Sequence, residues 1–174
     1  MSDFVAVRAG SPDDLDSVAE IYAHHVVAGV ATFEVAAPDR LEWLRRFTAI
    51  TSSGLPFLIA AIDSRIVGYA HCAPWKPRPA YRHTVEDSVY VAPDAVGRGV
   101  GGRLLDALLH ECARAGVREV IAVIVDADGA ASLALHRHRG FADAGRLKSV
   151  GFKHGRWLDT VLLQRSIEII PDRP

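Results

Sequence analysis

Apolar positions along this chain recur in two periods, and the changes from one to the other outline its elements. Ser11-Pro12-Asp13-Asp14 supplies an N-cap followed by proline at the first helical position, and Leu15, Val18, Ala19 and Tyr22 then recur at helical spacing. A second helix starts near Pro38-Asp39, carries Leu41, Leu44 and Phe47 on one stripe, and stops before the breaker Ser52-Ser53-Gly54. Ala31-Thr32-Phe33-Glu34, between the two, reads as irregular. Residues 57–62 and 66–73 read as strands joined by the turn Asp63-Ser64-Arg65, and residues 84–91 as a third strand after a proline-rich loop. Helical spacing returns over 101–115, where Leu104, Leu105, Leu108, Leu109 and Cys112 face the core and Gly116 ends the helix in the left-handed conformation. Residues 117–125 form a fully buried strand, 130–139 a short helix ending at Gly140, and 141–150 with 157–165 a closing hairpin. Residues 172–174 read as a frayed tail.

Strand, glycine loop, helix and strand in that order make a crossover unit, which places 84–91 parallel and adjacent to 117–125. The fold class is therefore mixed α/β. A length of 174 residues with 49% apolar and 24% charged residues suits one domain, residues 1–174, with its own core. The formal charge of −1 gives no field to recruit nucleic acid or an anionic membrane. The longest apolar runs fall far short of the roughly 20 residues that span a bilayer, and residues 1–9 lack the layout of a signal peptide. Two cysteines, Cys72 and Cys112, are too few for a disulfide scaffold, so a reducing cytoplasm fits best. The histidines show no zinc-like spacing, and no metal is expected.

Chemistry concentrates where Val96-Gly97-Arg98-Gly99-Val100-Gly101-Gly102 leads into the third helix. Glycines let a ligand approach the backbone, and free N–H groups at a helix start attract anions, so a phosphate-bearing cofactor is implied. Gly97-x-Gly99-x-x-Gly102 also satisfies the dinucleotide fingerprint, with Asp126 or Asp128 as ribose acid, but residues 92–96 separate the glycines from the strand end. A nucleoside-triphosphate loop fails because no Gly-Lys-Ser/Thr follows. Glu86, mid-strand on one face with Thr84, Ser88 and Tyr90, is the candidate general base, since burial raises a carboxyl pKa toward the range that removes an ammonium proton. A hydrogen-bonded structural acid is the plainer alternative.

Val89-Tyr90-Val91 leading into Gly97-Arg98-Gly99-Val100-Gly101 resembles the coenzyme A pyrophosphate loop of the GNAT N-acetyltransferases. Thr84 to Val91, Leu135-His136 before Gly140-Phe141, and Gly151-x-Lys153-x-Gly155-x-Trp157-x-Asp159 together resemble their phosphinothricin and methionine sulfoximine acetyltransferase branch, over residues 5–165. Two positions depart from the pattern: Val96 replaces a usual glutamine or arginine, and Asp128-Gly129 stands where asparagine is common. The resemblance implies a GNAT fold, with a mostly antiparallel mixed sheet splayed between two parallel strands and flanked by helices. It also implies acetyl-CoA as co-substrate, bound by residues 89–91, 96–102 and Asp128. Glu86 and His136 become catalytic residues under it, with the backbone N–H of Val89 or Val91 polarising the acetyl carbonyl.

Lys76, Pro77, Arg78, Tyr81 and Arg82 lie on a loop similar to the branch's substrate loop, where cations could clamp a carboxylate, phosphinate or sulfonyl group, while Phe33 and Trp75 wall the pocket. The expected reaction is direct acetyl transfer to the α-amino group of a small amino acid, and the expected assembly is a homodimer. The alternatives are a different amine or protein N-terminus as acceptor, or a non-catalytic acyl-coenzyme A sensor.

Overall fold

The computed structural model describes residues 4–169. Seven strands form one sheet in the order β1-β2-β3-β4-β5-β7-β6, from β1 (Ala6–Ala9) through β2 (Phe57–Ile62), β3 (Arg65–Pro74), β4 (Thr84–Val91), β5 (Glu119–Val125) and β7 (Arg156–Ser166) to β6 (Ala142–Lys153). Every neighbouring pair is antiparallel except β4 with β5. Helices α1 (Leu15–Ala28) and α2 (Arg40–Ser52) pack on one face, and α3 (Val100–Arg114) covers β2 and β3 from the other, with α4 (Ala130–Arg137) against β5.

The periodic segments formed the elements their patterns dictate, except that α2 turns Trp43, Phe47 and Ile50 inward and leaves Leu41 of the expected stripe exposed. Helix α3 buries Val100, Leu104, Leu105, Leu108, Leu109, Cys112 and Ala113, and Gly116 beyond its end has φ +77°, a region a side chain disfavours. Helix α2 begins where Asp39 accepts a hydrogen bond from the Glu42 amide at 2.8 Å. The thiols of Cys72 on β3 and Cys112 on α3 lie 2.9 Å apart in the core. Proline at position 12 starts a single 3-10 turn, Pro12–Asp14, and α1 proper follows it.

Three boundaries depart from the sequence reading. Strand β1 was not expected: its four residues alternate too briefly to signal a strand, and it exists as an edge paired to β2. Helix α4 stops at Arg137 rather than residue 139, because the amides of Arg139 and Gly140 turn back to His136 and Arg137 in a tight turn. Strand β6 runs on to Lys153, past residue 150. Register shifts between Asp143 and Gly145 and between Leu147 and Gly151 break its alternation, with Ser149 at φ +51°. Asp159 fixes that distortion by accepting from the Ser149 amide at 2.9 Å and from Arg146 at 3.1 Å. The tail at 172–174 lies outside the described residues.

Strand β1 is tied to α1 by charge. Arg8 donates to both carboxylate oxygens of buried Asp14, at 2.6 and 2.8 Å, while the amide and hydroxyl of Ser11 donate to the same group. The Arg8 hydrogen bond, opposed by burial, holds the Asp14 pKa at about 2. A depressed acid stabilises the fold above its unfolded pKa near 4 and loses that contribution as pH falls through the folded value. Asp14→Asn should therefore cost about 1–2 kcal/mol at pH 7, discounted for the exposed arginine, and far less at pH 2. Urea midpoints measured at both pH values check this, and a pH-independent difference would refute it.

Candidate functional site

The pairing of β4 with β5 is short. It covers Thr84–Glu119, Val85–Val120 and Glu86–Ile121, after which β5 continues on β7 while β4 continues on β3. The two strands separate at Glu86, and a cavity of about 440 Å³ opens there with lining from both faces of the sheet.

Peptide orientation along β4 follows from its hydrogen bonds. Thr84 accepts from the Trp75 amide and Ala92 donates to the Val67 carbonyl, so even-numbered positions turn their peptide groups toward β3. Odd-numbered positions, Asp87, Val89 and Val91, face the gap toward β5. The Val91 carbonyl confirms the alternation, accepting from His25 Nε2 at 2.9 Å on that side.

Side chains divide the same way. Glu86, Ser88 and Tyr90 face α1 and α2, where the cavity continues past Tyr22, Thr32, Glu34, Arg46 and His71. This is the first arm. Burial raises the Glu86 pKa, the neighbouring Asp87 charge adds to that, and Lys76 opposes it. Tyr22 lies 2.6 Å from the Thr32 hydroxyl and donates to Glu34 at 3.1 Å, and Arg46 donates to Glu34 at 2.6 Å. The segment from Thr32 to Glu34 is clamped by the final hairpin. Buried Lys153 donates to the Thr32 carbonyl at 2.8 Å, and a Cβ on Gly151 would lie 2.3 Å from the Phe33 ring.

Asp87 points to the opposite face, into a second arm bounded by Val123, Val125, Gly129, Ser132 and His136. His136 Nε2 lies 2.8 Å from Asp87 Oδ2, both side chains being almost fully buried. The other ring nitrogen, Nδ1, lies 2.7 Å from the Ser132 carbonyl, which only accepts, so Nδ1 carries a proton. The contact with Asp87 then requires one more proton between the two groups, because an imidazole lone pair and a carboxylate do not bond each other. Burial works to lower the His136 pKa, but the hydrogen bond and charge of Asp87 outweigh it and the value is raised. Asp87 Oδ1 is buried without a hydrogen-bond partner.

The glycine loop sits at the α3 N-terminus, beyond the end of β4. Gly97 and Gly99 have φ of +81° and +78°, a Cβ at either would meet nothing within 4 Å, and no side chain caps the helix. Open space above left-handed glycines and uncapped amides fits a diphosphate. Of the two positions that depart from the expected pattern, Val96 is exposed and Asp128 lines the cavity. Gly129 has its own cause, since a Cβ there would lie 2.3 Å from the Val125 carbonyl oxygen.

Of the residues read as cofactor-binding, Val89, Tyr90 and Asp128 line the cavity, whereas residues 96–102 cluster at the helix start outside it. Of those read as acceptor-binding, Phe33 lines the cavity. Trp75, Lys76, Pro77, Arg78, Tyr81 and Arg82 stand on the loop before β4, all but Trp75 exposed, with the Lys76 ammonium 4.7 Å from the Trp75 ring centroid. Asp87, Glu34, Arg46 and His71 were not singled out in the sequence. Asp87 carried one signal, an acid at an apolar-facing position of an alternating strand.

The profile of the Acetyltransferase (GNAT) family matches residues 18–141. Phosphinothricin N-acetyltransferase of Alcaligenes faecalis is 50% identical over 161 residues, which cover 92% of this chain and 82% of the relative. L-methionine sulfoximine/L-methionine sulfone acetyltransferase of Salmonella typhimurium is 33% identical over 167 residues, 94% of this chain and 95% of the relative. A crystal structure of a GNAT superfamily phosphinothricin acetyltransferase from Sinorhizobium meliloti in complex with AcCoA shares 42% identity and a TM-score of 0.89, covering 97% of this chain and 90% of that one.

Gly129→Ala should destabilise the protein by about 1–3 kcal/mol, because the added methyl meets a backbone oxygen that has no room to retreat. Denaturant midpoints measure it, and an unchanged midpoint would show that the β5–α4 junction yields.

Proposed function

The chain belongs to the acetyltransferase (GNAT) family and uses acetyl-CoA, and from that premise we propose that it acetylates the α-amino group of a small amino acid directly, with Glu86 as base. The acceptor class is that named for its relatives: phosphinothricin, methionine sulfoximine or methionine sulfone. The observation that carries the reading is the placement of Glu86 at the point where β4 leaves β5, beside amides that face the gap.

Acetyl-CoA, when bound, supplies a thioester carbon open to attack. Amides of residues 97–102 hold its diphosphate at the positive end of α3. The Val89 or Val91 amide, turned into the strand gap, polarises the acetyl oxygen. Glu86 takes the ammonium proton on the first-arm face, its raised pKa bringing it closer to the amine it must deprotonate. On the opposite face the Asp87–His136 pair keeps a proton next to the thiol side of the reaction. Base and stored proton thus come from consecutive residues of one strand, separated by the sheet itself.

Lys76 and Arg78 suit the acceptor carboxylate, since their loop borders Glu86 and Lys76 is close enough to shift its pKa. A homodimer is supported by β6, an edge strand with a mostly exposed face that carries Leu147 and Val150 at 46% and 49% exposure, and by Phe152 against Trp157 at 57% and 66%. The free thiols of Cys72 and Cys112 suit a reducing compartment.

Thiol release measured with acetyl-CoA and a panel of amino acids tests the reading. Glu86→Gln should lower kcat on the order of 10²–10⁴-fold while acetyl-CoA affinity by calorimetry barely moves. In the wild type, kcat/KM should fall as pH drops through the raised Glu86 pKa, and Glu86→Gln should abolish that limb. Equal turnover in the variant would discredit the base, and tight acetyl-CoA binding with no turnover by the wild type would favour a sensor. Gly99→Val should weaken acetyl-CoA binding by about tenfold or more, because its side chain occupies the space over the amides; unchanged affinity would remove the cradle.

A further inference from the structure

Helix α3 begins Gly99-Val100-Gly101-Gly102, and the last of these glycines has a neighbour that the fold brings from far along the chain. A Cβ on Gly102 would collide with Nη2 of Arg139 and lie 3.3 Å from its Cζ. Cα–Cβ bonds of a helix tilt toward its N-terminus, so the guanidinium occupies the space where a side chain at 102 would reach toward the open amides. The left-handed turn before the helix uses Gly97 and Gly99. The glycine at 102 makes room for a cation.

Arg139 is held there at both ends. Its amide donates to the His136 carbonyl at 2.9 Å and Arg165 donates to its carbonyl, which fixes the backbone just past α4. Its side chain donates to both oxygens of Asp106, through Nε at 2.7 Å and Nη2 at 3.1 Å, and through Nη1 to the Leu135 carbonyl at 3.4 Å. Asp106 stands one turn after Gly102 on the same face of α3. A guanidinium has five N–H groups, so one remains on each terminal nitrogen.

Packing alone does not account for this position. The start of α3 is the positive end of its dipole, which repels a cation. The Asp106 side chain is 62% exposed, so its ion pair with Arg139 is screened by water and adds little. A glycine inside a helix is also unfavourable relative to alanine. An anion lying between the amides and the guanidinium would offset the repulsion and give the glycine its reason.

Resting on the diphosphate cradle described above, we infer that Arg139 is a further ligand of the phosphates of coenzyme A, with Asp106 orienting its guanidinium and Gly102 making room for it. Guanidinium and phosphate match in shape and charge, and their hydrogen bonds are stronger than those of neutral donors. The α3 amides bring partial charges, and Arg139 brings a full one. The anion site is then built from two helices, α3 from below and the end of α4 from the side.

Calorimetric titration of the full chain with coenzyme A and with dephospho-coenzyme A tests this without turnover. Arg139→Leu should raise the Kd for coenzyme A about tenfold. Arg137→Leu, which removes a neighbouring charge that pairs with Asp143, should move it by less than about twofold. An equal loss with both ligands places the contact on the diphosphate, and a loss confined to coenzyme A places it on the 3′-phosphate. Gly102→Ala, whose methyl displaces the guanidinium without removing it, should weaken binding in the wild-type background and add nothing to Arg139→Leu. A Kd in Arg139→Leu within about threefold of wild type, or an equal loss in Arg137→Leu, would overturn the contact and leave a surface ion pair between helices. If Arg139→Leu does not fold, Gly102→Ala decides by the same threshold. Weakened binding in Gly99→Val beside unaltered binding in Arg139→Leu rejects this contact alone, and unaltered binding in both rejects the cradle with it.

Discussion

The structure turns on two parallel strands that stop pairing. Parallel β4 and β5 share only three register positions before each follows its other neighbour. A sheet that stays paired has no hole in it and no unspent amides in its middle. Divergence creates both at once, and it occurs within a rigid frame of five further strands. Everything chemical is arranged around that opening: the acid at its apex, amides along its edge, and an uncapped helix start beyond it. The crossover through α3 enforces the arrangement, because the loop that ends β4 must also begin the helix.

The two arms of the cavity use buried polarity differently. In the second arm, His136 shares a proton with one oxygen of Asp87, while the other oxygen stays without a partner. In the first arm, Tyr22, Thr32, Glu34 and Arg46 form a closed network, while Trp43, Tyr69 and His71 have no hydrogen-bond partner. Groups that satisfy one another rigidify the wall, and low surrounding polarity strengthens each such bond. Glu86 stands between them and feels both its own desolvation and the acid beside it.

Long periodic segments were legible from the residues alone. The stripe Leu104, Leu105, Leu108, Leu109 and Cys112 admits one reading, and strand alternation placed Glu86 with Ser88 and Tyr90 on one face. Strand β1 was illegible because four residues paired at an edge carry too little pattern. Strand β6 was cut short because its register shifts, held by Asp159, destroy the alternation on which strand reading depends. His136 was visible as a motif residue, but its partner was not, since Asp87 and His136 are 49 positions apart and meet only through the packing of α4. Trp43 and His71 were hidden by their type: an aromatic on a helix stripe and a histidine in a strand both read as core until their unpaired nitrogens are seen.

The clamp on the first arm's wall joins distant parts of the chain. Lys153 reaches back 121 positions to the Thr32 carbonyl, and Gly151 leaves room for Phe33. A ribosome delivers α1, α2 and the whole of β1 to β5 well before that hairpin emerges. The wall of the first arm is thus completed only after α1, α2 and β1 to β5 have been made. A chain that ended after β5 would carry the helix start and its amides without that wall.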